Sequence, residues 1–207
     1  NKGGDFRRWY GNREYVINWE NDGSEIKSRL SLKTKKPTIR NLSFQMKEGF
    51  TWSTVSSGGF SCRYTPKGAL FDNGGCTLFS EDNLKKYGAF LNSKVASRYL
   101  EFLSPTLNFQ PGDIGKILLK ENIDNLSLNT ENLIAISKND WDSYETSWEF
   151  TQNPIIRTHQ STLEQSFNTW QQQNAAAVAE MKRLEEENNK LFIDAYGLQD
   201  ELTPDVP

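Results

Sequence analysis

Residues 87–114, YGAFLNSKVASRYLEFLSPTLNFQPGDI, decide how the rest of the chain is read. Phe90, Leu91, Val95, Tyr99, Leu100 and Leu103 recur at helical spacing and predict one amphipathic helix with a single apolar face. Ser104-Pro105 ends it, because proline disfavours helix in the residue before it. A polar turn then leads through Gly112-Asp113 to the apolar run 114–119. The sequence before this stretch is basic and strand-like, and the sequence after it is acidic and helical. It therefore reads as a joint between two halves, whose helix packs a basic sheet against the later helices.

The charge balance supports that division. The net charge is −3, yet residues 1–70 carry 13 Lys and Arg against 6 Asp and Glu, while residues 71–207 carry 11 against 21. A basic first third suits a polyanionic partner. Hydrophobic residues make up 36% and aromatic residues 12%, enough for a modest core with rings left over for surfaces. The two cysteines, Cys62 and Cys76, stand alone and suggest a reduced, intracellular setting. No signal peptide and no apolar run of membrane-spanning length is present. A start at Asn1 without Met suggests a piece of a longer protein.

Upstream of the joint, Phe6, Arg7, Arg8, Trp9, Tyr10, Asn12 and Arg13 form a dense cluster of cations and rings. Guanidinium groups pair with phosphates or guanine edges and rings stack on bases, so this composition suits nucleic acid. Residues 14–20 alternate, with Tyr15, Ile17 and Trp19 on one side, and predict a strand closed by the turn Asn21-Asp22-Gly23. A basic helix is expected over residues 24–36. Another is expected from Pro37, with Ile39, Leu42 and Met46 on its face and Gly49 ending it. Lys33, Lys35, Lys36 and Arg40 surround the break between them, where charge and free N–H groups could hold phosphate. Strands are expected at FTWSTV, at GGFSCRY and near ALF and CTLF, with Gly58-Gly59 as a tight turn. Ser56, Ser57, Arg63 and Tyr64, with Trp52 nearby, are candidates to read base edges from this hairpin.

Downstream, Thr130 is placed to cap a helix containing Leu133, Ile134 and Ile136. Trp141, Tyr144 and Trp148 are spaced to share one helical face. A four-three pattern then runs through Leu163, Phe167, Trp170, Asn174, Ala177, Met181, Leu184, Asn188, Leu191 and Ala195, with Gly197 closing it. It predicts a coiled-coil seam over about 161–196, with Asn174 and Asn188 fixing register within it.

Catalytic chemistry is thin. The single histidine, His159, lies in a polar linker, so no Ser/His/Asp set can be built. No Cys/His cluster has metal spacing, and the glycine pairs lack a phosphate-loop pattern. No catalytic and no metal-binding residue is assigned, and the chain reads as a binding module.

The segments FRRWYGNREYVINWENDG, GGFSCRYTPKGALFDNGGCTLF, FLNSKVASRYLEFLSPTLNFQPGDI, SKNDWDSYETSWEF and GLQDELTPDV occur in an order that carries a resemblance. They resemble target-recognition regions of adenine-specific DNA methyltransferases, related to type IIG enzymes and type I specificity subunits. Together they are similar to the C-terminal part of the PglX family, the methyltransferases of BREX phage-resistance systems. The resemblance implies an α+β fold: a mixed or antiparallel sheet with flanking helices as a recognition domain over 1–120, then a helical extension over 121–207. It implies binding of double-stranded DNA in the bacterial cytoplasm. Arg7, Arg8, Lys33, Lys35, Lys36 and Arg40 are then expected at phosphates, and Trp52, Ser56, Ser57, Arg63 and Tyr64 at or near bases. The family's Asn-Pro-Pro-Tyr type motif is absent from this chain. S-adenosylmethionine is accordingly expected in an N-terminal methyltransferase domain of the same protein and no cofactor here. The alternative is an assembly module that docks other defence proteins through its helical part.

Overall fold

A computed structural model describes residues 1–31, 39, 41–120 and 128–207. The architecture is α+β. Three short strands, β1 (Gly49–Ser53), β2 (Cys62–Thr65) and β3 (Gly75–Leu78), form an antiparallel sheet in the order β2-β1-β3. The helices are α1 (Glu20–Ser31), α2 (Leu84–Leu91), α3 (Lys94–Leu103), α4 (Pro111–Ile114), α5 (Thr130–Trp141), α6 (Pro154–Arg157) and α7 (Leu163–Tyr196). Phe50, Trp52, Phe60 and Cys62 from the sheet region meet Phe90, Leu91, Val95 and Leu100 from α2 and α3. Phe192, Ile193 and Tyr196 of α7 complete the same core, so residues on both sides of position 120 share it. Gly88 sets the closest approach of α2 to the sheet: a Cβ there would stand 2.2 Å from the Phe50 ring.

The joint is two helices, not one. The amide of Asn92 sits between α2 and α3 and pairs with both backbone groups of Cys62, accepting from its N–H at 2.9 Å and donating to its carbonyl at 3.0 Å. The side chain thus does for β2 what a neighbouring strand would do, and a buried strand edge needs such a partner. Ser93 restarts the helix as an N-cap, its hydroxyl accepting from the Ala96 N–H at 3.3 Å.

Other expectations shift for similar reasons. Residues 14–18 alternate in sequence but form no strand; Tyr15, Val16 and Ile17 lie exposed, because no described strand stands beside them. Asn21, Asp22 and Gly23 are left-handed, as a turn requires, and α1 proper follows them. After Asn41 there is only a single 3-10 turn, Leu42–Phe44. Met46 there pairs by backbone with Ala69 and Gly68, and Gly49 opens β1 instead of ending a helix. Residues 69–71 are not a strand, and residues 54–61 form a long loop that contains the turn at Ser57-Gly58, with Gly59 at a φ of 89°. Asn129, not Thr130, is the N-cap position of α5. That helix stops at Trp141, which is buried, so Tyr144 and Trp148 never share its face and lie exposed in the turns that follow.

Candidate nucleic-acid interface

The opening cluster is built into the fold. Trp9 pairs parallel with Arg63 along the free edge of β2, its N–H donating to the Cys62 carbonyl at 2.9 Å and its carbonyl accepting from the Tyr64 N–H at 2.7 Å. Neighbours in an extended chain point to opposite sides. Trp9 breaks that rule with a φ of 68°, and its indole and the Arg8 guanidinium reach the same carboxylate. Glu185 of α7 accepts from Trp9 Nε1 at 2.6 Å and from Arg8 Nη1 at 3.0 Å. Arg7 pairs with Asp140 of α5 and lies over the Trp141 ring. Arg13 lies over Tyr10 and stands 3.9 Å from Glu149. Arg7 and Arg8 tie this segment to α5 and α7, and Arg13 ties it to the turns after α5, all three staying partly exposed.

The hairpin residues divide sharply. Trp52 is 3% exposed and its Nε1 donates to the Phe109 carbonyl at 2.9 Å. Arg63 is 1% exposed; its Nη2 donates to Ser53 Oγ at 3.2 Å, and among the described residues it has no carboxylate partner. Burial pulls its guanidinium down to about 10, with Cys62 acting weakly in the opposite sense. The same burial pushes the Cys62 thiol up to about 12. Tyr64 is half-buried and donates to Glu48 at 2.7 Å; burial first, and that bond second, push its hydroxyl up to about 12. Ser56 is buried with its Oγ unpartnered among the described residues, whereas Ser57 is exposed. Lys33, Lys35, Lys36 and Arg40 lie outside the described residues.

Two loops form one apex. The Phe109 N–H donates to the Thr54 carbonyl at 2.7 Å and the Ser56 N–H to the Leu107 carbonyl at 3.0 Å, with Val55 bridging Asn108. Residues 54–61 and 104–108 are thereby locked side by side. Val55, Ser57, Thr106 and Leu107 project from them into solvent, and Phe6 stands beside them, also exposed. Sequence reasoning missed Phe6, Thr106 and Leu107 as a set, and missed Glu185 altogether. Only a long-range ladder and a contact across 176 residues bring them into place. Leu107, two residues after Pro105, was the one local signal. Among the described residues, no group of His, Cys, Asp or Glu could hold a metal ion, and no helix is long and apolar enough to cross a membrane.

No family model matches the chain. It is 44% identical over 215 residues to an adenine-specific methyltransferase PglX from Lacticaseibacillus casei (strain Zhang), an alignment covering 99% of this chain and 18% of that protein. It is 38% identical over 206 residues to an adenine-specific methyltransferase BrxX from Escherichia coli O9:H4 (strain HS), covering 98% of this chain and 16% of that protein. The chain thus spans less than a fifth of the length of these relatives. Along nearly its whole length, this chain is homologous to a segment of the adenine-specific methyltransferases of the PglX and BrxX type.

Proposed function

We propose that this chain is the DNA target-recognition segment of an adenine-specific DNA methyltransferase of a bacterial phage-defence system. The observation that carries the reading is homology over 98–99% of the chain to two adenine-specific methyltransferases. The basic first third and the locked apex support it. In this reading the segment clamps duplex DNA and reads a short sequence. The rest of the methyltransferase binds S-adenosylmethionine and takes the target adenine out of the stack for methylation.

The candidate residues then take different parts. Ser57, exposed on the apex, reaches base edges. Arg63 and Trp52 support the apex from below, since both are buried. Arg7 and Arg8 fix the N-terminal segment beside the apex to α5 and α7 and present their remaining donors to phosphates. Lys33, Lys35, Lys36 and Arg40 are phosphate candidates on their chemistry alone. Phosphate contacts set position and apex contacts set sequence. The test is methylation-site mapping of the intact enzyme before and after exchange of residues 1–80 with those of a relative. A new methylated sequence is the expected result, and an unchanged sequence would sink the reading.

A second reading has one observation behind it. Most of the first half of α7 is exposed, with Leu163 at 76% and Val178 at 69%, as a segment that docks another defence protein would be. An unchanged methylated sequence together with loss of complex formation would favour it.

A further inference from the structure

A groove of about 390 Å³ opens at the apex. Its floor is apolar: Phe60, Leu100 and Phe109, all buried, with Phe60 edge-on to Phe109 at 5.4 Å. One wall is the Phe6 ring, which has the Arg8 guanidinium over one face at 5.6 Å and the other face left for stacking. Gly58 permits that position, because a Cβ there would stand 2.6 Å from the Phe6 Cβ. Leu107, held by the ladder to residues 54–56, also lines the groove. Two ionised side chains also line the groove, Arg8 and Glu101. Both already have partners: Glu185 takes Arg8, and Arg98 takes Glu101. The groove therefore selects no net charge. It offers an aromatic wall, an apolar floor, donors from a guanidinium and acceptors from a carboxylate.

We propose that this groove takes one unstacked nucleobase of the bound duplex, a base other than the adenine to be methylated. A nucleobase is planar, neutral and apolar on its faces, and carries donors and acceptors on its edge. Those are the properties the groove matches. Its volume lies at the lower end of the range for small-molecule sites, which suits a single base better than a peptide. Stacking on an aromatic ring accepts any base, and the Arg8 and Glu101 edges add preference. Displacing a base costs unstacking energy, and it also gives the loops a hold on one strand that a closed duplex does not offer.

The inference rests on the DNA-recognition reading. Its test uses the intact methyltransferase and duplexes carrying its methylated sequence. A fluorescent analogue is placed at each position in turn, aminopurine for purines and pyrrolocytosine for pyrimidines. The methylated adenine should brighten on binding and serves as an internal control. A second position should also respond. Phe6→Ala should abolish that second response and weaken duplex binding roughly tenfold, the cost of one lost base–aromatic stack. Phe6→Tyr should restore it, and the control response should persist in both. A response at the methylated adenine alone would overturn the groove proposal and leave DNA recognition standing. So would a second response indifferent to Phe6→Ala and Leu107→Ala. Loss of a protein partner in these variants, without any second response, would assign the groove to a protein side chain and overturn the proposal. Failure of the intact enzyme to bind duplex DNA would sink both readings.

Discussion

Helix α7 has two halves that look alike in sequence and live in different surroundings. From Leu163 to Glu180 most residues are exposed, Phe167 at 44% among them. From Leu184 to Tyr196 one face is buried: Leu184, Glu185, Asn188, Asn189, Phe192, Ile193 and Tyr196. Phe192 meets Phe90 at 5.3 Å and Tyr196 stacks on Phe90 at 5.6 Å. The buried stripe advances in steps of four residues, so it leaves the four-three seam after Asn188 and passes to Phe192 and Tyr196. A straight helix packing on a compact core does this, whereas a supercoil would hold the seam at Leu191 and Ala195. The difference teaches that a hydrophobic repeat marks a face that wants covering and does not name the cover. Here the chain's own α2, α3 and α5 cover one half.

The largest test of this contrast is a matched pair. Phe192→Ala should cost about 3–5 kcal/mol of stability, and Phe167→Ala less than about 0.5 kcal/mol, read as urea midpoints of the purified chain. Equal losses would break the comparison by showing that the outer half is packed too. Next comes the clamp on the buried half. Glu185→Ala removes an acceptor shared by Arg8 and Trp9 and should cost about 2–3 kcal/mol, whereas Glu164→Ala on the outer half should be nearly silent. A silent Glu185→Ala would show that β2 and the Arg7–Asp140 pair hold the N-terminal segment without it.

The two seam asparagines give a smaller contrast. Asn188 Nδ2 donates to the Ala89 carbonyl at 3.0 Å, while Asn174 is exposed. Asn188→Ala should cost about 1–3 kcal/mol by orphaning a buried carbonyl. Asn174→Ala should be neutral or slightly stabilising in the isolated chain, since alanine is the better helix former. A loss at Asn174 that depends on protein concentration would reveal a partner helix. The smallest effect is a pH slope in the core beneath the buried half. The Cys62 thiol is raised to about 12 by burial, so its contribution is complete below the ordinary thiol value of 9.0 and is lost as the pH climbs toward about 12. The alkaline decline of the urea midpoint should therefore be shallower in Cys62→Ala than in the parent chain. Parallel declines would place the thiol outside the core.

Much of the helical half was legible before folding. The long helix, its stop at Gly197 in a left-handed cap and the pause at Ser104-Pro105 follow local rules of periodicity and capping. The cluster of cations and rings was legible as composition only. Arg7, Arg8 and Arg63 look equivalent on paper, but two hold helices in place and the third lies under the sheet edge. Arginine has one chemistry for phosphate and for carboxylate, and which one it meets depends on what lies within reach.

The amino-acid sequence by itself determined the α+β composition of the chain, the site of its long helix and its homology to adenine-specific methyltransferases, because these depend on local pattern and on the order of motifs. Tertiary structure alone decided that the joint breaks at Asn92, that Trp9 and Arg8 converge on Glu185, that residues 54–61 lock to 104–108, and which half of α7 is covered. Each of those is a contact between residues far apart in the chain. Its energy comes from satisfying a buried polar group or filling a core, and neither can be counted until the distant partner is in place.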